Sequence, residues 1–241
     1  MTQKRTLYHS FADYYDLLHA RKDYAGEVKK LLQLIKRHQK SDGRELLDVA
    51  CGTGRHLSYF KDHFSCTGID LHEGMLKVAR KKVKGIAFKQ AEMARFRLRK
   101  QFDVITCLYG GISYALTTSE LKKTLDNFGH HLKPGGVIII EPYFTSKQFK
   151  PNRPKLSTIE TDDVKIARVS LSRRKRNLAT RKMIIAISDK NRGVFSFEDQ
   201  RDVALFGVEQ IVSNMKRAGF EATHIKNGIT TEFDLYIGVK R

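Results

Sequence analysis

The sequence predicts an α/β fold: a doubly wound, seven-stranded, mostly parallel sheet with an antiparallel β-meander inserted late in the chain. Three observations carry this. Short apolar runs alternate with segments of helical periodicity over residues 28–141, the order that crossover units produce. A glycine-rich turn follows directly on the first apolar run. After Pro151-Asn152-Arg153-Pro154 the alternation gives way to strand-like runs only a few residues apart.

Val28, Leu31, Leu32 and Ile35 recur at helical spacing in a segment that ends near Lys40, before Ser41-Asp42-Gly43. Glu45–Ala50 is a short apolar strand running straight into Cys51-Gly52-Thr53-Gly54, and a helix is expected over Arg55–Asp62. A second strand, Cys66–Asp70, ends in an acid and precedes a helix over Gly74–Val83. Ile86–Gln90 and Phe102–Cys107 are the third and fourth strands. Ser119–Leu132 is helical, and Lys133-Pro134-Gly135-Gly136 is expected to stop it and turn the chain into a fifth strand, Val137–Glu141. The meander comprises Lys165–Ser172, Ala179–Ser188 and Val194–Phe206, lying over the active-site end of the sheet. A helix over Glu209–Ala218 and two strands, Glu221–Lys226 and Phe233–Val239, close the sheet with an antiparallel pair. The expected organisation is one domain: residues 1–40 an N-terminal helical lid, 41–150 a cofactor-binding core, 151–206 an inserted cap, and 207–241 the final helix and strand pair.

Composition limits the functional classes. At 41% hydrophobic and 29% charged residues the chain is globular, neither collagen-like nor disordered. Its longest apolar runs, such as Gly135–Ile140, fall far short of the roughly 18 residues that cross a bilayer. The opening MTQKRTLYHSF has no apolar signal-peptide core, so the expected location is cytoplasmic. Cys51, Cys66 and Cys107 lack CxxC spacing and the nine His are scattered, so neither a disulfide framework nor a metal site is expected. Forty-five Lys and Arg against 26 Asp and Glu give a formal charge of +19, which favours acidic partners such as nucleic acid or nucleotide-linked metabolites. The cations are spread over several runs, including Arg173-Arg174-Lys175-Arg176, and a solvated face accounts for such runs as readily as a phosphate-binding one.

In an open α/β sheet the ligand lies outside the carboxyl ends of the strands, near the first strand–helix turn. That turn is Asp48-Val49-Ala50-Cys51-Gly52-Thr53-Gly54, and Asp70 at the end of the next strand is placed to accept ribose hydroxyls. A dinucleotide fingerprint would need a third glycine where Leu57 stands. Asp48 also suits a cationic ligand better than a pyrophosphate.

On these residues the sequence resembles the class I S-adenosylmethionine-dependent methyltransferases. The resemblance is carried by LLDVACGTG (Leu46–Gly54), GID (Gly68–Asp70), GMLKVAR (Gly74–Arg80), AEM (Ala91–Met93), FDVITC (Phe102–Cys107) and LKPGGVIIIEP (Leu132–Pro142). A less specific similarity, to N,N-dimethyltransferases of nucleotide-linked amino sugars, extends from Tyr8 nearly to Arg241. It includes YYDLLH (Tyr14–His19), KDY (Lys22–Tyr24), the strand around Ala167–Ser172 and DVALF (Asp202–Phe206).

The resemblance implies a Rossmann-like fold and S-adenosylmethionine as cofactor. It implies that Gly52, Thr53 and Gly54 lie against the methionine moiety, with Ala50, Cys51 and Leu108 completing the lining. Asp48 would face the methionine ammonium, and Tyr15 and Lys22 would close over the carboxylate. Asp70 would bind the ribose, flanked by Leu71 and Met75, while Glu92 and Met93 would meet the adenine. Among catalytic candidates, Tyr114 stands where such relatives often have a His suspected as a base. A phenol with its ordinary pKa near 10 is a poor base, so Tyr114 is assigned to substrate orientation. Tyr8 is a second orienting candidate and Glu141 an acceptor at the fifth strand end.

The implied activity is in-line methyl transfer to a small-molecule acceptor, an amine such as a nucleotide-linked amino sugar, whose diphosphate would meet Arg153 or Arg173–Arg176. The alternatives are an RNA- or protein-modifying methyltransferase using the basic surface, and a non-catalytic cofactor-binding protein. Against methylation of nucleobase amines, the fourth strand ends Thr106-Cys107-Leu108-Tyr109, without the Asn/Asp-Pro-Pro-Tyr loop of those enzymes. The edge strands of the meander need cover, which a homodimer would supply.

Overall fold

The computed structural model describes residues 6–230 and 232–241; the first five residues of the expected lid lie outside the described residues. The lid contributes α1 (Tyr15–Leu18) and α2 (Tyr24–His38). The core follows as β1 (Glu45–Val49), α3 (Leu57–Phe60), β2 (Ser65–Asp70), α4 (Glu73–Lys82), β3 (Ala87–Gln90), β4 (Phe102–Cys107), α5 (Thr118–His131) and β5 (Leu132–Ile140). Then come β6 (Lys155–Glu160), β7 (Val164–Lys175), β8 (Leu178–Asp189) and β9 (Gly193–Ala204), and finally α6 (Val208–Arg217), β10 (Phe220–Ile225) and β11 (Leu235–Lys240).

Seven strands form one sheet in the order β10-β11-β5-β4-β1-β2-β3, with β11 antiparallel to both neighbours and the five strands β1 to β5 parallel to one another. The Rossmann-like α/β fold read from the sequence is thus the observed one. Alternate side chains of the central strands feed two cores. Leu47, Ile105 and Ile138 pack with Leu125 and Phe128 of α5 and Ile211 and Met215 of α6. Leu46, Val104 and Val137 pack on the opposite face with Val28 and Leu31 of α2 and Leu76 and Ala79 of α4. Burial on both faces is why these strands read as largely apolar runs.

The inserted strands form a separate antiparallel sheet, β6-β7-β8-β9. Its inner face packs Ile166, Met183, Ile185 and Phe197 against Leu7, Phe11, Tyr14 and Leu18 of the lid. Lid and cap therefore share one apolar cluster above the carboxyl ends of the parallel strands.

Three details differ from the sequence reading. Regular helix after the glycine turn is confined to α3, with three-residue turn hydrogen bonds on both sides, from Gly54 N–H to Cys51 C=O and from His63 N–H to Phe60 C=O. Lys133–Gly136 does not separate α5 from β5. Leu132 already pairs with Phe102, and the register then shifts so that Val137 pairs with Val104, absorbing the Pro-Gly-Gly within the strand. The cap has a fourth strand, β6, at its edge, where Lys155–Glu160 is too short and too polar to announce itself. Among the described residues no helix is long and apolar enough to cross a membrane.

Candidate active site

A cavity of about 330 Å³ opens at the carboxyl ends of β1, β2 and β4. Beyond β1 the chain turns through Ala50 (φ +56°) and Gly52 (φ +57°), exposing bare backbone. A Cβ on Gly52 would stand 3.3 Å from the Met75 methyl, so a side chain there would crowd this wall. Asp70 is fixed by two backbone donors, Gly52 N–H to Oδ2 and His72 N–H to Oδ1, both at 2.9 Å. Each carboxylate oxygen keeps a further lone pair for a ligand hydroxyl. Asp48 is buried, accepts the Thr106 hydroxyl at 2.7 Å, and is pushed up to about 7 by desolvation. A cation placed against it would restore its charge.

The lid is fastened to the glycine turn. Thr53 Oγ1 donates to Asp16 Oδ1 at 2.6 Å, and His56 Nε2 lies 2.9 Å from Glu27 Oε2. Glu27 also pairs with Lys22, whose ammonium sits 4.4 Å from the ring centre of Tyr109. Arg55 stacks on Tyr24 with its guanidinium carbon 4.7 Å from the ring centre. Its Nε is buried and has no hydrogen-bond partner among the described residues.

A cluster of phenols closes the far side. Tyr8 and Tyr114 share a hydrogen bond of 2.8 Å between their hydroxyls. Arg201 of β9 reaches across from the cap, donating to the Tyr8 hydroxyl with its guanidinium carbon 3.7 Å from the ring centre. Its Nε and Nη2 bond Asp199 Oδ2 at 3.1 and 2.7 Å. Burial raises the phenols of Tyr8, Tyr114 and Tyr143 above the ordinary range, so they remain protonated donors at neutral pH.

A second cavity, of about 1000 Å³, lies between the lid, strands β6 and β7, and Ile229, Thr230, Glu232 and Phe233. Tyr109, with a left-handed φ of +51°, lines both cavities. Arg168 projects into the second, with Nε 3.1 Å from Ser157 Oγ, and Arg181 follows on the same face with Nη2 3.1 Å from Ser170 Oγ. Arg201 has its carboxylate in Asp199, whereas the hydrogen bonds described for Arg168 and Arg181 go to serines alone.

Comparison with known proteins bears on this arrangement. A family model described as a methyltransferase domain matches residues 46–136. The dTDP-3-amino-3,4,6-trideoxy-alpha-D-glucopyranose N,N-dimethyltransferase of Streptomyces venezuelae is 33% identical over 231 residues, covering 95% of this chain and 97% of its own. The crystal structure of Streptomyces venezuelae DesVI superposes with a TM-score of 0.89 at 32% identity, covering 95% of this chain and 98% of that one. A sugar N-methyltransferase from Streptoalloteichus superposes with a TM-score of 0.86 at 31% identity, over 94% and 92% of the two chains.

The chain belongs to the S-adenosylmethionine-dependent methyltransferases.

The cavity of this methyltransferase fits its cofactor: bare backbone at Gly52, two acids at strand tips, and an unpartnered guanidinium nitrogen for a carboxylate. Of the positions read from the sequence, Tyr8, Tyr15, Asp48, Ala50, Cys51, Gly52, Thr53, Asp70, Leu71, Met75, Glu92, Met93, Leu108 and Tyr114 line it. Three do not. Gly54 turns away beneath the loop, where a Cβ would meet Phe88, Ala79 and Val83. Lys22 is drawn to Glu27 and lines the second cavity instead. Glu141 is buried behind the wall, accepting Tyr109 N–H at 2.8 Å with Oε2, while Oε1 has no partner among the described residues.

Arg153 and Arg173–Arg176 are exposed and line neither cavity, and Arg174 is bonded to the Ser146 carbonyl. Sequence reasoning missed Arg55, Tyr109, Tyr143 and His72, all of which line the first cavity. Arg55 and His72 each carried a signal, one following the glycine turn directly and the other standing two residues after Asp70.

Proposed function

We propose that this methyltransferase methylates the amine of a nucleotide-linked amino sugar. The observation that carries the reading is the second cavity. It meets the cofactor cavity at Tyr109 and holds Arg168, with Arg181 on the same face, half-buried beside serines and suited to an anionic diphosphate. The relatives named above are N-methyltransferases of sugars, and the S-adenosylmethionine-bound structure from Micromonospora echinaspora is of an amino pentose methyltransferase (26% identity, TM-score 0.84, over 94% and 96% of the two chains).

S-adenosylmethionine, when bound, supplies a methyl group on a cationic sulfur. The chain's residues hold and orient the reactants. Asp70 binds the ribose, with Leu71 and Met75 beside it and Glu92 and Met93 near the adenine. Asp48 faces the methionine ammonium, and Arg55 takes the carboxylate in the place first given to Lys22. Tyr8 and Tyr114 orient the acceptor through the hydrogen-bonded pair that Arg201 anchors. Glu141 acts from behind, holding the amide of Tyr109. Lid and cap exclude water by closing over the strand tips.

In the proposed organisation the four segments, with the boundaries given above, form one domain, and the protein works in the cytoplasm as a homodimer. The outer face of the cap supports the dimer: Leu156, Val169 and Ile184 are exposed and pair across three adjacent strands. An uncharged row of this kind favours burial against a second copy.

The test is methyl transfer from radiolabelled S-adenosylmethionine to dTDP-3-amino-3,4,6-trideoxyglucose, run beside the RNA, protein and small-molecule fractions of a desalted cell extract. Label on the sugar nucleotide is expected. Label confined to RNA or protein would overturn the reading.

A further inference from the structure

An amine that receives a methyl group must shed a proton, and the cavity holds few groups able to take it. The phenols of its six tyrosines (Tyr8, Tyr15, Tyr24, Tyr109, Tyr114 and Tyr143) are all raised by burial and keep their own protons. Asp48 is tied to Thr106, and Asp70 to two backbone amides. Glu120 caps α5 through the amides of Leu116 and Thr117. Glu92 stands 3.7 Å from Arg95, and the ring of His56 faces Glu27. The Cys51 thiol is raised by burial and keeps its proton, and the Arg55 guanidinium has no lone pair to accept one. Among the titratable groups lining this cavity, that leaves His72.

His72 is held between the cavity and the surface. Its Nδ1 lies 3.2 Å from Nε2 of His9, and the two rings meet edge to face at 4.7 Å. Its ring centre is 5.1 Å from that of Tyr8, the phenol joined to Tyr114. His9 is exposed. With Nδ1 engaged by His9, Nε2 is the nitrogen left for the cavity. Burial, with His9 and Arg201 adding to it and Asp199 opposing, holds the imidazole down to about 4, so it is neutral at physiological pH.

We infer that His72 accepts the proton released by the methylated nitrogen and passes it through His9 to solvent. The inference rests on the proposed amine acceptor. In the balanced step the nitrogen lone pair forms the new N–C bond, and sulfur keeps the electron pair of the broken S–C bond. The methylated nitrogen, now cationic, gives one proton to Nε2 of His72. The Nδ1 proton of His72 moves to Nε2 of His9, and His9 releases its own Nδ1 proton to water. Each imidazole ends in its other tautomer, and exchange with solvent after product release resets the pair.

The test uses the full chain in two arms. Without acceptor, ¹⁵N-histidine NMR of the S-adenosylhomocysteine complex at neutral pH should show His72 as the neutral Nδ1–H tautomer, with a resonance that shifts in His9→Ala. An imidazolium, or an Nε2–H tautomer indifferent to His9→Ala, overturns the inference whatever the acceptor proves to be. With dTDP-3-amino-3,4,6-trideoxyglucose as probe, His72→Gln should lower the single-turnover rate about 100-fold. Its affinity for S-adenosylhomocysteine should be unchanged, and added imidazole should restore part of the rate. His9→Ala should slow turnover less and make it depend on buffer concentration. A His72→Gln enzyme with the wild-type rate overturns the inference. A wild-type enzyme inert toward the probe counts against the sugar reading alone, and the NMR arm then decides the proton path.

Discussion

Glu141 is 1% exposed, and burial pushes its carboxyl from 4.5 up to about 7, with the Tyr109 amide only partly offsetting the loss of water. A folded-state value above the unfolded one means that the folded protein binds the extra proton between those limits. Its contribution to stability is fully present below about pH 4.5 and is lost as pH rises through about 7. At about 1.4 kcal/mol per tenfold change in proton affinity the loss comes to about 3 kcal/mol. Glu141→Gln removes this titration and keeps an oxygen for the Tyr109 amide. It also places two N–H donors where one carboxylate oxygen already lacks a partner, at a cost of about 1–2 kcal/mol at every pH. The variant should therefore be less stable than wild type near pH 4.5, more stable by about 1–2 kcal/mol at pH 8, and equal to it near pH 6. Urea unfolding of both proteins across this range measures the difference, from which all other titrations cancel. A difference that does not change with pH would refute the argument, because it would mean that the carboxylate ionises alike in the folded and unfolded chain.

Four further predictions address the site. Asp70→Ala should weaken S-adenosylhomocysteine binding about 100-fold by calorimetry, the loss of two charge-assisted hydrogen bonds; unchanged affinity would move the ribose elsewhere. Arg55→Gln should weaken S-adenosylhomocysteine about tenfold yet leave methylthioadenosine, which lacks the amino-acid carboxylate, bound as before. Equal losses for both ligands would show that Arg55 does not meet the carboxylate. Arg168→Ala should raise the acceptor KM by about 10- to 100-fold at unchanged cofactor affinity, and an unaltered KM would place the diphosphate outside the second cavity. Ile184→Glu should convert the dimer to monomers in sedimentation at micromolar concentration, whereas a dimer that persists would place the interface on another face.

The parallel half of the fold was legible because its strands are buried on both faces. Leu46–Val49 and Phe102–Cys107 are buried throughout and apolar but for Asp48, Asp103 and Thr106, and each is followed by punctuation that a turn requires. The edge strand β6 was not, since Lys155–Glu160 has only Leu156 and Ile159 as apolar residues, three apart and without strand alternation. The Pro-Gly-Gly after α5 misled for a related reason. Its residues are turn formers, but the pairing of Leu132 with Phe102 holds them in the sheet at the shift in register. Within the site, glycine and acid spacing led to residues that line the first cavity because a backbone turn and strand-end carboxylates are local features. Lys22 could not be placed in the same way. Its destination depends on Glu27, one helical turn into α2, and that acid is also committed to His56.

Charge shows the same limit more sharply. The conspicuous run Arg173-Arg174-Lys175-Arg176 is exposed at the β7–β8 turn, outside both cavities. The cations that face the site, Arg168, Arg181 and Arg201, are far apart in the chain and stand among hydrophobic residues or ordinary strand polarity. Only the register collects them: Arg181 pairs with Ser172 on one side and Arg201 on the other, and Arg168 lies on the same inner face of β7. Like charges directly opposite one another across a strand pair are destabilising, and partial burial strengthens the repulsion. Asp199 relieves Arg201, while among the described residues Arg168 and Arg181 bond only serine oxygens. Burial, with repulsion from Arg181 and Arg201 adding to it, lowers the proton affinity of Arg168, and burial with the same cations helps hold His19 neutral. A face that keeps two guanidiniums so poorly compensated is complementary to an anion arriving from solution. Under the proposed function, the diphosphate of a nucleotide-linked acceptor would supply that charge at the mouth of the cavity leading to Tyr109.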